Sequence, residues 1–159
     1  MSGWRARLEP RIRPLVQAYW RLSRGLTLGV RGLALDEAGR IALVRHTYIA
    51  GWHLPGGGVE RGETVWQAIA KEMREEAGVA IAARPHLFHV YTNERKFRGD
   101  HIALFIVRDW TQCDPEPGQE IAETGWFAPD ALPDGTSPAT RARIAEALHG
   151  APPADDWSR

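Results

Sequence analysis

Apolar and polar positions along this chain change period several times, and the changes mark the elements. From Pro14, Leu15, Tyr19 and Leu22 recur at near-helical spacing with Val16 and Trp20 beside them, which predicts a helix ended by Gly25. Leu26 to Leu35 and Ile41 to Arg45 read as two strands around Asp36-Glu37-Ala38-Gly39, a turn-rich hairpin connection. Residues 46–63, with Pro55 and the run Gly56-Gly57-Gly58, break both periods and read as a loop. Thr64 to Ala77 is the best helix in the chain, starting near Glu63-Thr64 and stopped by Gly78. Strand signals return over Leu87 to Thr92 and His101 to Val107, joined by a polar, mobile stretch from Asn93 to Asp100. Thr111 to Gly118 reads as a loop, Ile121 to Phe127 as a strand, and Pro138 to His149 as a helix closed by Gly150. Beyond Pro152-Pro153 the expected state is a loose tail.

Hairpin-like strands with one central helix and helices near each end predict an α/β fold, a mixed β-sheet sandwiched between helices. The chain divides into a basic amphipathic helix over residues 1–24, one domain over 25–150 and a flexible tail over 151–159. At 159 residues the domain is long enough to bury a core of its own. Twenty Lys and Arg balance 20 Asp and Glu, so no whole-protein field recruits nucleic acid and DNA is not an expected partner. The single cysteine, Cys113, excludes an intrachain disulfide framework and a cysteine-built zinc site. No apolar run reaches the roughly 18 residues of a membrane span and no signal peptide is evident, so the expectation is a cytoplasmic protein. Locally the charge is uneven: six arginines stand against Glu9 alone in residues 1–24. Such a helix can meet a membrane surface or an acidic partner, or supply a homodimer interface. The simpler reading is a terminal helix packed on the domain with solvated arginines.

The chemistry concentrates in Gly57 to Val79. With Glu72 as origin at 100° per residue, Glu75 and Glu76 share with it an arc of about 100° on the helix. Ile69, Met73, Trp66, Ala77 and Ala70 form the neighbouring apolar flank, and small Ala68 sits one turn before Glu72, leaving space above the carboxylates. Like charges at these spacings repel by a few tenths of a kcal/mol per pair, and something should offset that. Hard divalent cations prefer oxygen ligands, and Mg²⁺ takes one or two carboxylates with phosphate oxygens and waters. The alternative is a solvated acidic face balanced by Lys71, Arg74 and Arg61. The preceding glycines let backbone approach a ligand closely and feed directly into the helix start.

This spacing resembles the Nudix box, G-x5-E-x7-R-E-U-x-E-E-x-G-U with U aliphatic. Gly57, Glu63, Glu72, Met73, Glu75, Glu76, Gly78 and Val79 stand in register, and Lys71 replaces the family's Arg. Trp52-His53-Leu54-Pro55 upstream and Trp126-Phe127-Ala128-Pro129-Asp130 downstream are also similar to the family, so the resemblance spans about residues 25–150. It implies a Nudix-like α/β/α sandwich and a Mg²⁺- or Mn²⁺-dependent hydrolase of a nucleoside diphosphate linked to another moiety. By position, Glu72, Glu75 and Glu76 are implied metal ligands with the Gly57 carbonyl; Glu72 is an alternative base, and Glu63 fixes the loop against the helix. A further downstream glutamate is implied, with Glu123 matching the family pattern better than Glu120. Lys71 is a point charge where Arg offers a two-pronged fork, so a less rigidly held glutamate is expected.

The substrate is less legible. Tyr48, Trp52 and Phe97 are candidates to stack a base, and Arg45, Arg95 and Arg98 to meet phosphates. Subfamily marks of ADP-ribose, dinucleoside polyphosphate and coenzyme A hydrolases are missing, which leaves a nucleoside di- or triphosphate as the leading small-molecule substrate. ADP-ribose, a nucleotide sugar or an RNA 5′ end form the second reading, the basic N-terminal segment being the one feature favouring RNA. A third, of a different class, is a non-catalytic Nudix-fold nucleotide sensor or binding module. Retention of the box glutamates argues against it.

Overall fold

The computed structural model describes Tyr19, residues 25–116 and residues 120–159; the helix predicted within residues 1–24 lies almost wholly outside them. Over residues 25–159, among the described residues, eight strands and two helices follow: β1 (Thr27–Ala34), β2 (Ile41–His46), β3 (Trp52–His53), α1 (Val65–Ala77), β4 (Val79–Ile81), β5 (His86–Thr92), β6 (Asp100–Val107), β7 (Trp110–Gln112), β8 (Ile121–Phe127) and α2 (Pro138–His149). The sheets run β1-β6-β5, β3-β2-β8 and β4-β7. The first is mixed, because β1 lies parallel to β6 and β5 antiparallel to it. Short β4 and β7, which pair with each other, were not legible in the pattern.

Strand alternation sends side chains into two apolar layers. Val30 and Ala34 of β1, with Ala103, Phe105 and Val107 of β6, pack with Ile69, Met73 and Ala77 of α1. The intervening Leu33, Leu35, Ile102, Leu104 and Ile106 pack with Ile144 of α2 and with Trp157. Covered on both faces, β6 carries the near-continuous apolar run that such strands require. Ala68 also belongs to the core at 0% exposure, so it leaves no open space above the carboxylates.

The expected hairpin between β1 and β2 is corrected. The Asp36 turn closes locally, with Asp36 N–H donating to Arg40 O at 3.0 Å, and Leu35 and Ile41 form one bridge. Beyond that bridge the strands join different sheets. The edge of β1 that a hairpin partner would use is taken by the glycine loop. Gly32 N–H donates to Pro55 O (2.9 Å), Val30 N–H to Gly57 O (2.9 Å), and Val59 N–H to Leu28 O (2.8 Å). Buried donors must be satisfied, and here the loop satisfies them. The loop is thereby strapped along the first strand.

Two segments expected to be mobile are tied down. The β5–β6 connection is a hydrogen-bonded turn, with Asn93 N–H on Asp100 O (2.8 Å) and Gly99 N–H on Glu94 Oε2 (2.6 Å). The C-terminal segment docks on β5 and α2, where Trp157 is buried and its N–H donates to Thr92 O at 2.8 Å.

Candidate active site

Helix α1 starts at a capping box. Thr64 Oγ1 accepts from Gln67 N–H (3.2 Å) while the Gln67 side chain accepts from Thr64 N–H (2.9 Å). Gly78, at φ 64°, ends it in the left-handed conformation that suits glycine. These two stops set the register that brings Glu72 and Glu76 to the glycine loop.

A cleft of about 460 Å³ opens between this helix face, the loop and the start of β1 and β6. Glu72, Glu76, Gly56, Gly57 and Gly58 line it together with Arg31, Tyr48, Asp100 and Glu120. Glu76 accepts a hydrogen bond from Gly56 N–H at 2.7 Å. Burial pushes its carboxyl up to about 7, with Glu72 and Glu120 adding to the rise and the Gly56 N–H and Arg31 opposing it. Burial also raises Glu72, against the pull of Lys71. Gly57 sits against the carboxylate: a Cβ there would lie 2.6 Å from Glu72 Oε1 and 2.8 Å from Oε2. The backbone thus closes onto the carboxylate, and a side chain at this position would push the Glu72 carboxylate aside.

The other sequence-selected residues distribute unevenly. Lys71 Nζ bridges Glu63 Oε1 and Glu72 Oε1, 3.5 Å from each, and Glu63 Oε2 accepts from Glu60 N–H at 2.9 Å. Lysine therefore still joins loop to helix, with two long contacts. Glu75 is half-buried and does not line the cleft. Glu120 lines it, whereas Glu123, the better match by pattern, pairs with Arg45 at 2.6 Å. The reason is register: Arg45 and Glu123 face each other across β2 and β8. That pairing also engages Arg45, expected to meet phosphate, and Arg95 is likewise paired, with Asp156 at 3.2 Å. Trp52 is core, edge-on to Phe127 at 4.9 Å, and does not stack in the cleft. Tyr48 is exposed on the cleft wall, while Phe97 and Arg98 lie exposed on the β5–β6 turn outside its lining.

Arg31 was missed by the sequence reading. Its signal was a single charge inside a strand otherwise apolar on both faces. Its Nη1 donates to Gly56 O, and to Leu54 O at 3.5 Å, so it holds the loop from beneath. Burial lowers the guanidinium from its ordinary value while Glu76 and Glu72 push it back up, and a guanidinium stays charged in either case.

Among the described residues no group of three or more His, Cys, Asp or Glu is gathered to hold a metal ion unaided. The donor set is nonetheless of the kind Mg²⁺ uses, since that ion takes one or two carboxylates and completes its shell from phosphate and water. The oxygen donors at the Gly57 cradle and the raised carboxyls of Glu72 and Glu76 fit it.

Residues 25–148 match the NUDIX domain, and the chain belongs to the NUDIX family. A MutT-like protein of Streptomyces ambofaciens is 30% identical over 132 residues, 80% of each chain. A putative 8-oxo-dGTP diphosphatase of Bacillus subtilis is 30% identical over 129 residues, 79% of this chain and 82% of its own. The crystal structure of a MutT NUDIX hydrolase from Burkholderia pseudomallei has a TM-score of 0.65 at 25% identity, over 77% of this chain and 98% of that one. The protein is a Nudix-type pyrophosphohydrolase acting on the phosphoanhydride bond of a nucleotide-like substrate, which sets aside the non-catalytic module. Among the described residues no helix is long and apolar enough to cross a membrane.

Proposed function

We propose that the chain hydrolyses a nucleoside triphosphate in a Mg²⁺- or Mn²⁺-dependent reaction in the cleft between α1 and the glycine loop. The observation that carries this reading is the meeting of Glu72, Glu76 and the Gly56–Gly58 backbone in one cleft. The relatives named for MutT and 8-oxo-dGTP match across about 80% of this chain, while one named as an ADP-ribose pyrophosphatase from Methanocaldococcus jannaschii matches 50%. The 8-oxo-dGTP name carried by a relative of that coverage supports the triphosphate reading.

Glu76 and the Gly57 carbonyl are the proposed metal donors, with Glu120 added from the turn just before β8. The Gly57 oxygen already accepts from Val30 N–H and keeps a second lone pair. A bound divalent cation supplies charge neutralisation of the pyrophosphate and acidifies water. Glu76 is oriented by the Gly56 N–H, which fixes where its free oxygen points. Glu72, set between Lys71 and the Gly57 backbone, is the proposed base that takes the proton of the water attacking phosphorus. Lys71 and Glu63 hold that base and the loop together.

The test is a product-resolved screen of nucleoside triphosphates, including oxidised purines, with ADP-ribose, nucleotide sugars and triphosphorylated RNA. It is run with Mg²⁺ and with Mn²⁺ on wild type and Glu76→Gln. Expected is metal-dependent turnover of a nucleoside triphosphate, reduced at least about 10²-fold in the variant. Turnover confined to another class in the panel would overturn the substrate reading, and full activity in Glu76→Gln would overturn the site.

A further inference from the structure

The described residues lining the cleft include four carboxylates, Glu72, Glu76, Asp100 and Glu120, and one cationic side chain, Arg31. A substrate carrying a phosphate chain brings several more negative charges to this surface. Of the arginines that sequence reasoning offered for that task, Arg45 is engaged on Glu123 and Arg95 on Asp156, and Arg98 lies exposed outside the cleft lining.

Arg31 is differently placed. A guanidinium carries five N–H donors in a rigid planar fork. Among the described residues, its hydrogen bonds leave from Nη1 alone, to the carbonyls of Gly56 and Leu54. Nε and Nη2 have no such partner, yet neither is a buried orphan, unlike Nε of Arg143 in the core. Arg31 itself lines the cleft beside Glu72 and Glu76. Arg31 feels the field of Glu76 and Glu72 but forms no ion pair within 4.0 Å among the described residues. Its charge is anchored and not spent on a contact partner.

We propose that Arg31 is a phosphate-binding residue of this enzyme. Nη1 fastens the side chain to the loop carbonyls, and the opposite edge of the fork donates to non-bridging oxygens of the substrate's phosphate chain. That division suits arginine, whose planar fork serves two acceptors at once where lysine serves as a point charge. The proposal rests on the pyrophosphohydrolase reading and adds to it a contact that lies outside the glutamate-rich helix.

The test uses inorganic pyrophosphate as probe, bound in the presence of Mn²⁺ and followed by calorimetry, beside Mn²⁺ binding alone by electron paramagnetic resonance. Wild type, Arg31→Lys and Arg31→Gln are compared, with thermal unfolding to verify that each is folded. Expected is a loss of pyrophosphate affinity of about tenfold in Arg31→Lys and about 100-fold in Arg31→Gln. Mn²⁺ affinity should equal or exceed wild type, because a cation near the carboxylates has been weakened or removed. Unchanged pyrophosphate affinity in both variants would overturn the proposal. So would a parallel loss of Mn²⁺ affinity, which would make Arg31 a prop for the loop. A wild type that binds Mn²⁺ but not pyrophosphate would overturn it too, whereas one that binds neither would sink the hydrolase site beneath it. If Arg31→Gln does not fold, the Arg31→Lys arm decides.

Discussion

Glu76 and Glu72 are carboxyls that the fold buries and leaves short of positive charge. In the metal-free protein this has a signed consequence. The Glu76 carboxyl rises from an ordinary 4.5 to about 7, so between those values the folded state holds more protons than the unfolded chain. Its contribution to stability is complete below the unfolded value and is lost as pH rises through the folded one; Glu72 acts in the same direction. In a chelator, wild type should therefore lose melting temperature relative to Glu76→Gln as pH rises from about 4.5 to about 7. Added Mn²⁺ should erase the difference. A constant offset across that range would exclude a titrating Glu76. Gly57→Ala probes the same cradle by size alone, since Gly57 does not have a positive φ and alanine adds no backbone strain. The new methyl displaces the Glu72 carboxylate, and kcat should fall about 10²-fold with the melting temperature little changed. At this scale the glutamates and Gly57 were readable from spacing. Arg31 was not, because one arginine in an apolar strand carries no period, and its role depends on a loop some 25 residues away.

Elements place these groups. Helix α1 depends on its first turn, where the Thr64 side chain and backbone exchange hydrogen bonds with Gln67. Thr64→Ala should cost about 1 kcal/mol of stability in urea denaturation. A loss near zero would mean that water replaces the cap without penalty. The helix lies close on β1 at Gly32, where a Cβ would strike the Met73 side chain and approach Ile69 Cδ1 at 3.2 Å. Helix boundaries were legible because caps and the 3.6-residue period are local properties. The pairing of β1 was misread for the converse reason. A turn between two apolar strands predicts a hairpin, but a strand edge accepts any backbone that satisfies it. Here residues 55–59 do so, and the cleft exists because of that substitution.

At the scale of the whole molecule the C-terminal segment closes the fold. Arg143, fully buried, donates through Nη1 to the carbonyls of Asp156 (3.1 Å) and Trp157 (2.7 Å), and through Nη2 to Glu146 (2.5 Å). Tyr91 OH donates to the other Glu146 oxygen at 2.8 Å, and the Arg143 guanidinium lies 4.4 Å from the Tyr91 ring centre. The segment also touches the β5–β6 turn beside the cleft, through Arg95 and Asp156. Trp157→Ala should destabilise by about 3 kcal/mol or more in chemical denaturation, the range for a large buried aromatic. A loss below about 0.5 kcal/mol, as for an exposed site, would show that the segment is not docked.

The sequence by itself determined the family, the bounds of α1 and the carboxylate stripe with its glycine loop. Each of these is written in residues that are neighbours along the chain or one helical turn apart. Only the tertiary structure decided which acid downstream of the box reaches the cleft, that Trp52 is core, that the tail is docked and that Arg31 lines the cleft. Those outcomes turn on contacts between distant segments, Arg45 with Glu123 or Arg31 with Gly56, whose partners are chosen by packing and by the need to satisfy buried donors. No local pattern encodes that choice.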